Sequence, residues 1–320
     1  MQPVALRDHA LFTGPVMHDM SDHAREGMGG LVLAIDVRPR SGWHPYAGPR
    51  RHLHLYIESD SAATDTVRRF GYVLTEGSDP PPQKVAIQWP GPTIVLHRRE
   101  PTTITVVNRS PEPSQVHGHG LEIDSYYDGV AGISSDAGMV APMIMPNDSF
   151  VVNVTPPRAG SFMYHTHIND IRQQSHGLYG PLVVLDSAQR WDPDADRIYM
   201  LSTNERDSPI VNGGALPPRA TFEAGKTYRL RLMNITLDSP MAEFRLVQDG
   251  TPLRWPHLAK DGFALPAWQR VRSAAHQRVS IGETYDVQVM FPAPADLALE
   301  VRLANETLVA RQVIHVVAPH

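Results

Sequence analysis

Proline and glycine break this chain so often, 29 and 23 times in 320 residues, that few stretches are long enough for a helix. Each interior proline costs a helix about 3 kcal/mol and each glycine about 1 kcal/mol. What they leave is a series of short runs rich in Val, Ile, Thr and Tyr, the pattern of many short strands joined by turns. An all-β fold follows, and regular short strands with turn signals between them imply a sandwich or a barrel.

The runs fall into series. Gly30–Val37 is apolar and bounded by Gly and Pro39, preceded by Ser21 or Asp22 as the cap of a short helix. Arg51–Glu58 alternates Leu53, Leu55 and Ile57 against His52, His54 and Tyr56, and a further strand is predicted over Val67–Leu74. Asp79-Pro80-Pro81-Pro82 is a stiff link. Strands then follow at Thr93–His97, Thr102–Asn108, Ser114–Ile123, Phe150–Val154, Gly160–His167 and Leu182–Leu185. Asp192-Pro193-Asp194 marks a boundary, beyond which Ile198–Thr203, Thr227–Met233, Ala242–Val247, Arg278–Ile281, Tyr285–Phe291 and Leu297–Leu303 read as a second strand series. The expected domains are an N-terminal extension over 1–60 and β-sandwiches over 61–190 and 191–320, the two halves reading as copies of one β architecture.

Composition narrows the chemistry. The absence of cysteine removes disulfides, zinc-thiolate sites, iron–sulfur clusters, thiol nucleophiles and a blue-copper centre, whose strong ligand is a thiolate. A net charge of −5 without a basic block argues against a nucleic-acid surface or a polybasic membrane patch, leaving small-molecule or protein partners. No apolar run approaches the roughly 20 residues of a membrane span, and the first residues lack a basic segment followed by an apolar one. The chain reads as soluble, with its compartment open.

Two histidine pairs carry the functional signal: His117-Gly118-His119-Gly120 and His165-Thr166-His167. On a strand, residues i and i+2 project from one face about 6 to 7 Å apart, so four imidazoles arranged this way can surround a pair of metal ions, and imidazole suits copper. Spacing alone is weak, since roughly one such pair is expected by chance at this histidine content. His52-Leu53-His54 is a third pair.

Context gives the pairs their meaning. Pro90-Gly91-Pro92-Thr93-Ile94, His117-Gly118-His119-Gly120-Leu121-Glu122, Asp128-Gly129-Val130, Pro142 and Pro146, Gly160-Ser161-Phe162-Met163-Tyr164-His165-Thr166-His167 and Gly177-Leu178-Tyr179-Gly180-Pro181-Leu182 occur in that order. Together they resemble the first cupredoxin domain of multicopper oxidases, the laccase group. One departure is Gly118, where the family usually carries Trp. The resemblance implies two cupredoxin-like Greek-key β-sandwiches and copper as cofactor. It implies His117 as a type 2 copper ligand and His119, His165 and His167 as type 3 ligands, half of a trinuclear oxygen-reducing centre. It places Asp128 where the family has an acidic residue that helps deliver protons to oxygen, and dioxygen reduction does consume protons. An ordinary Asp-Gly turn accounts for Asp128 equally well.

The second half is similar to the copper-free middle domain of three-domain laccases through Val211-Asn212-Gly213, Gly225–Asn234, Asp261-Gly262 and Gly282-Glu283-Thr284-Tyr285-Asp286. His257, His276 and His315 there are isolated and are expected to be surface or hydrogen-bonded residues. At the N-terminus, His23 followed by Met28 resembles the end of a type 1 copper domain, but the family's cysteine position is His18, flanked by Met17 and Asp19. A short capped helix without metal is the expectation, with 1–60 a remnant strand and connector. His44-Pro45 and His52-Leu53-His54 have the residue types of the family's other ligand segment, but six residues part them, and an alternating strand with a polar outer face accounts for His52 and His54.

The expected function is therefore that of a laccase-like multicopper oxidase component, in which a phenolic or metal-ion donor is oxidised and dioxygen reduced. A partner domain or a second copy of the chain would complete the copper cluster. The resemblance implies a periplasmic or secreted protein, although no signal peptide is read here. Two rivals stand beside this reading. One is a cysteine-free dinuclear copper o-diphenol oxidase, its site completed by His176 or by another copy. The other is a copper-binding protein without turnover.

Overall fold

The computed structural model describes residues 41–42, 44, 46–60, 68–77, 86–136, 138–168, 170–237 and 241–319. The expectations for Ser21, His18, His23, Met28, the run 30–37 and the link at 79–82 lie outside these residues. Among the described residues the α-helix is a single turn, Asp170–Gln173, and the rest of the regular structure is strand and 3-10 turn.

Strands Phe70–Glu76, Arg51–Ser59, Thr102–Asn108 and Ser149–Val154 form one sheet in that order. Ile94–His97, Tyr179–Leu185 and Gly160–His165 form a second. Leu53, Leu55 and Ile57 from the first meet Ile94, Leu96, Leu182 and Val184 from the second in one apolar core. Burying side chains of this size contributes roughly 1.5–3 kcal/mol each, which is what holds two half-apolar sheets face to face.

The second sandwich repeats this plan. One of its sheets runs Pro209–Val211, Asp196–Thr203, Thr227–Asn234, Thr284–Met290 and Arg254–Lys260. The other is built on Arg219–Glu223, Leu308–Val317, Ala295–Leu303 and Met241–Gln248, with His276–Ser280 also paired to Met241–Gln248. In each sandwich two parallel pairings interrupt the antiparallel ladders: Arg51–Ser59 with Thr102–Asn108 and Ile94–His97 with Tyr179–Leu185, then Asp196–Thr203 with Thr227–Asn234 and Arg219–Glu223 with Leu308–Val317. Parallel neighbours need crossover connections between sheets. The matching positions of these crossovers make the halves two copies of one cupredoxin-like Greek-key architecture.

Three expectations change. Arg51–Ser59, placed by its sequence in the extension, is an inner strand of the first sheet, paired on both sides. Its Tyr56 is 7% exposed rather than facing solvent, because the Arg109 guanidinium lies 4.4 Å over its ring and covers it. Ser114–Ile123 is no strand: two isolated bridges, Ser114 to Ile144 and His117 to His165, are all the pairing it makes. Gly120 at φ +81° turns the chain out of any extended path. Strands Arg219–Glu223, Arg254–Lys260 and Leu308–Val317 were not predicted, although buried Ile314 and Val316 around exposed His315 show the two-residue period.

The two sandwiches meet along strand Gly160–His165. Phe162 and Tyr164 point into the first core, whereas Met163 joins Tyr179, Met200, Met233 and Ile235 in a small apolar cluster shared by both halves. Period-2 alternation therefore turns Ser161, Met163 and His165 toward the other face of the strand.

Candidate metal centre

His165 ends its strand, and its backbone is the clamp that joins the two histidine segments. His117 N–H donates to His165 O at 2.8 Å, and His165 N–H donates back to His117 O at 3.1 Å. His167 lies two residues beyond the strand end and His119 in the turn after the bridge, so neither pair sits wholly on a strand. The four rings still converge. The His117 centroid is 5.4 Å from His119, 5.3 Å from His165 and 5.4 Å from His167, and His165 is 5.5 Å from His119 and 5.6 Å from His167. One ring nitrogen from each of His117, His119 and His165 falls within 4.8 Å of the others.

The outer nitrogens are already engaged. His117 Nδ1 lies 3.1 Å from Asp128 Oδ1 and 3.1 Å from Asp128 O. His165 Nδ1 is 2.5 Å from Thr166 O. A carbonyl or carboxylate oxygen can only accept, so each of these nitrogens carries the ring proton and the inner Nε2 is left as a bare lone pair. His165 Nε2 faces His119 Nδ1 at 3.3 Å.

Burial and the neighbouring rings disfavour a positive charge on His165 and His119. The His165 pKa is pushed well below the usual imidazole value, first by burial and then by positive charge on His117, His119 or His167. His119 is also lowered, by burial and then by His117. Neutral imidazoles are the form that binds metal, and a nitrogen-only set suits copper or zinc better than calcium or magnesium.

Asp128 reaches His117 because Gly129 lets the chain pass close by: a Cβ there, at φ +84°, would lie 1.9 Å from Val116 O. The carboxylate is fixed by Ser134, whose hydroxyl donates to Asp128 Oδ2 at 3.3 Å and accepts from Val130 N–H at 3.1 Å. Asp128 stays 30% exposed at its side chain, so it touches both the cluster and solvent.

Sequence reasoning missed the brace behind the histidines. Gln173, 2% exposed, accepts through Oε1 from Ser114 Oγ at 2.8 Å and Thr166 Oγ1 at 3.1 Å, and donates through Nε2 to Pro113 O at 2.8 Å. It thereby ties the segment before His117 to the residue between His165 and His167. A glutamine about 60 residues away gives no local signal of such a role.

The other histidines lie elsewhere. The His176 carbonyl accepts from Phe70 N–H at 2.8 Å. His54 stacks on Tyr56. His257 meets Ser273 Oγ at 3.5 Å, His276 Nε2 meets Glu243 Oε1 at 2.8 Å and His315 Nδ1 meets Asp296 Oδ1 at 2.6 Å. These last three have the hydrogen-bonded environments expected of them.

With this geometry in hand, comparison with known proteins is informative. Residues 74–189 match the family model described as multicopper oxidase. Multicopper oxidase MmcO of Mycobacterium tuberculosis is 30% identical over 289 residues, which cover 88% of this chain and 50% of that protein. Laccase abr2 of Aspergillus fumigatus is 32% identical over 132 residues, 39% of this chain and 21% of its own length. The chain thus spans half or less of the length of these relatives. Among solved structures, the blue copper oxidase of Nitrosomonas europaea superimposes with a TM-score of 0.64 at 20% identity, covering 84% of this chain and 86% of that one. A multicopper oxidase from Pseudomonas thermotolerans gives 0.62 at 21% identity, covering 85% and 65%. At such identities the structural likeness speaks for the fold.

Proposed function

This chain belongs to the multicopper oxidase family, whose cofactor is copper, and from that premise we propose that His117, His119, His165 and His167 supply half of a copper cluster at which dioxygen is reduced while a donor is oxidised. One observation carries the reading. The four rings converge on one point, the His117 centroid lying 5.3–5.4 Å from the other three, and His117 and His165 each have the outer ring nitrogen committed to a protein oxygen, which leaves their inner nitrogens free to bind a cation.

Copper bound there supplies the one-electron steps between donor and oxygen. The protein supplies the rest. Asp128 fixes the tautomer and orientation of His117 through Nδ1, as Thr166 O does for His165, and such outer partners are worth about 10- to 100-fold in metal affinity. Asp128 also stands between solvent and the cluster, where its carboxylate is placed to relay protons, and Ser134 keeps that carboxylate turned toward His117. By resemblance His117 is the type 2 ligand and the other three are type 3 ligands.

Half a cluster needs its other half. We place it on a partner domain or a second copy of the chain, whereas the thiolate centre, which a cysteine-free sequence cannot provide in any number of copies, belongs to a partner domain. The donor is a phenol or a metal ion.

The test is copper stoichiometry after reconstitution and desalting, run beside the His117→Ala, His165→Ala double variant and with oxygen uptake on a phenol. Copper retained by the native chain and lost from the variant is the expected result. Oxygen uptake in addition means that the cluster completes itself by assembly, and copper without uptake means that the half-site waits for its partner. No specific copper in the native chain overturns the proposal.

A further inference from the structure

The apolar core of the second sandwich is open at one place. Leu246 and Leu297 from one sheet and Val289 from the other belong to that core, and with Leu253 and Phe291 they also line a cleft of about 350 Å³ that opens to solvent. Small-ligand sites run from roughly 300 to 1,000 Å³, so the cleft can take a molecule of modest size. One wall is Pro292-Ala293-Pro294, which leads from strand Thr284–Met290 to strand Ala295–Leu303. Two prolines with fixed φ stiffen it, and Gly225 N–H, donating to Phe291 O at 2.8 Å, fastens its start. A preformed wall costs a ligand little ordering on binding.

The rim of this apolar cleft is cationic. Arg254 and Arg272 line it, on the paired strands Arg254–Lys260 and Arg272–Ala274, and each guanidinium is tied to the backbone of the other residue. Arg254 Nη2 donates to Arg272 O at 2.5 Å, and Arg272 Nη2 donates to Arg254 O at 3.3 Å. Among the described residues neither forms an ion pair with a carboxylate, whereas Arg229, Arg231, Arg245, Arg278 and Arg302 of the same sandwich all do. Each fork has five N–H donors, so most remain available beyond the carbonyl contact. Two like charges held beside low-dielectric walls attract an anion, and the planar guanidinium matches a carboxylate.

We propose that this cleft is a binding site for an amphipathic carboxylate, its alkyl body against Leu246, Val289 and Leu297 and its charged head on Arg254 and Arg272. The site is made wholly by the second sandwich and contains none of the four histidines, so its occupation does not depend on copper.

Isothermal titration calorimetry of the full chain with hexanoate, octanoate and decanoate, each below its micelle concentration, tests both parts of the site. Affinity should rise roughly fourfold for each methylene buried, until the chain fills the cleft. Octan-1-ol, which has the same body without the charge, should bind about tenfold or more weakly than octanoate. The Arg254→Gln, Arg272→Gln double variant should lose about tenfold or more in decanoate affinity and keep that for octan-1-ol. Both side chains are exposed, so the variant should keep its fold, as an unchanged thermal transition would verify. No decanoate binding at about 1 mM, a flat chain-length series, an alcohol that binds as well as the acid, or equal affinities of native chain and folded variant each overturn the proposal. If the variant does not fold, the chain-length series and the comparison of acid with alcohol still decide it.

Discussion

At the scale of single residues, the centre depends on groups that leave one imidazole nitrogen bare. Asp128 is the most accessible of them. Asp128→Asn keeps an oxygen that can accept from His117 Nδ1 and keeps the backbone carbonyl contact at 3.1 Å, but removes the charge and the titratable proton. Copper affinity should fall by no more than about tenfold. If Asp128 relays protons as proposed, oxygen uptake should fall further than affinity does, as read with an oxygen electrode on the copper-loaded assembly. Equal losses in binding and turnover would leave Asp128 with an orienting role alone. Asp128 and the four histidines could be proposed from the sequence because each sits in a local motif. Gln173 could not, since two of its three hydrogen bonds go to Pro113 and Ser114, 60 and 59 positions away.

Strands add the electrostatics that spacing cannot show. Glu243, on Met241–Gln248, is registered opposite Arg278 on His276–Ser280. It is 4% exposed, and burial alone would raise its pKa, but hydrogen bonds from Arg278, His276 and Arg245 outweigh burial and bring it down to about 2. A carboxylate whose pKa is lowered by folding stabilises the protein above its unfolded value of 4.5 and loses that contribution as pH falls toward 2. Partial exposure of Arg278 and His276 limits the effect to roughly 1–3 kcal/mol. Glu243→Gln should therefore be less stable at neutral pH and show a flatter fall between 4.5 and 2, measured by urea unfolding across that range. An unchanged slope would mean that other carboxylates carry the acid response. The strand itself was predicted to within a residue at either end. Arg254–Lys260 was missed, as its proline and its alternation of Trp255 with polar neighbours give a weak strand signal.

On the scale of the whole molecule, the seam between the sandwiches is tied by a buried ionic knot. Asp286, 1% exposed, accepts from Ser161 Oγ at 2.6 Å and from Arg229 Nη2 at 2.5 Å, while Arg231, also 1% exposed, donates to Ser161 Oγ at 2.7 Å and to Asp196 Oδ1 at 2.5 Å. Removing one member of such a set strands charge in a dry interior. Asp286→Ala should cost about 3–5 kcal/mol in thermal or urea unfolding, and a change below about 1 kcal/mol would mean that water reaches the knot. The contact from Ser161 to Asp286 spans 125 positions, which is why the pairing of the halves stayed hidden while their separate architectures did not. Beside the knot lie Met163, Met200 and Met233, each 0% exposed. Thioethers sealed there are shielded from oxidants in solvent. A sulfoxide formed during any excursion that parts the seam would be too polar to fit back among Tyr179 and Ile235. The joint would then keep a chemical record of having opened, and the molecule would age at the place where its halves meet.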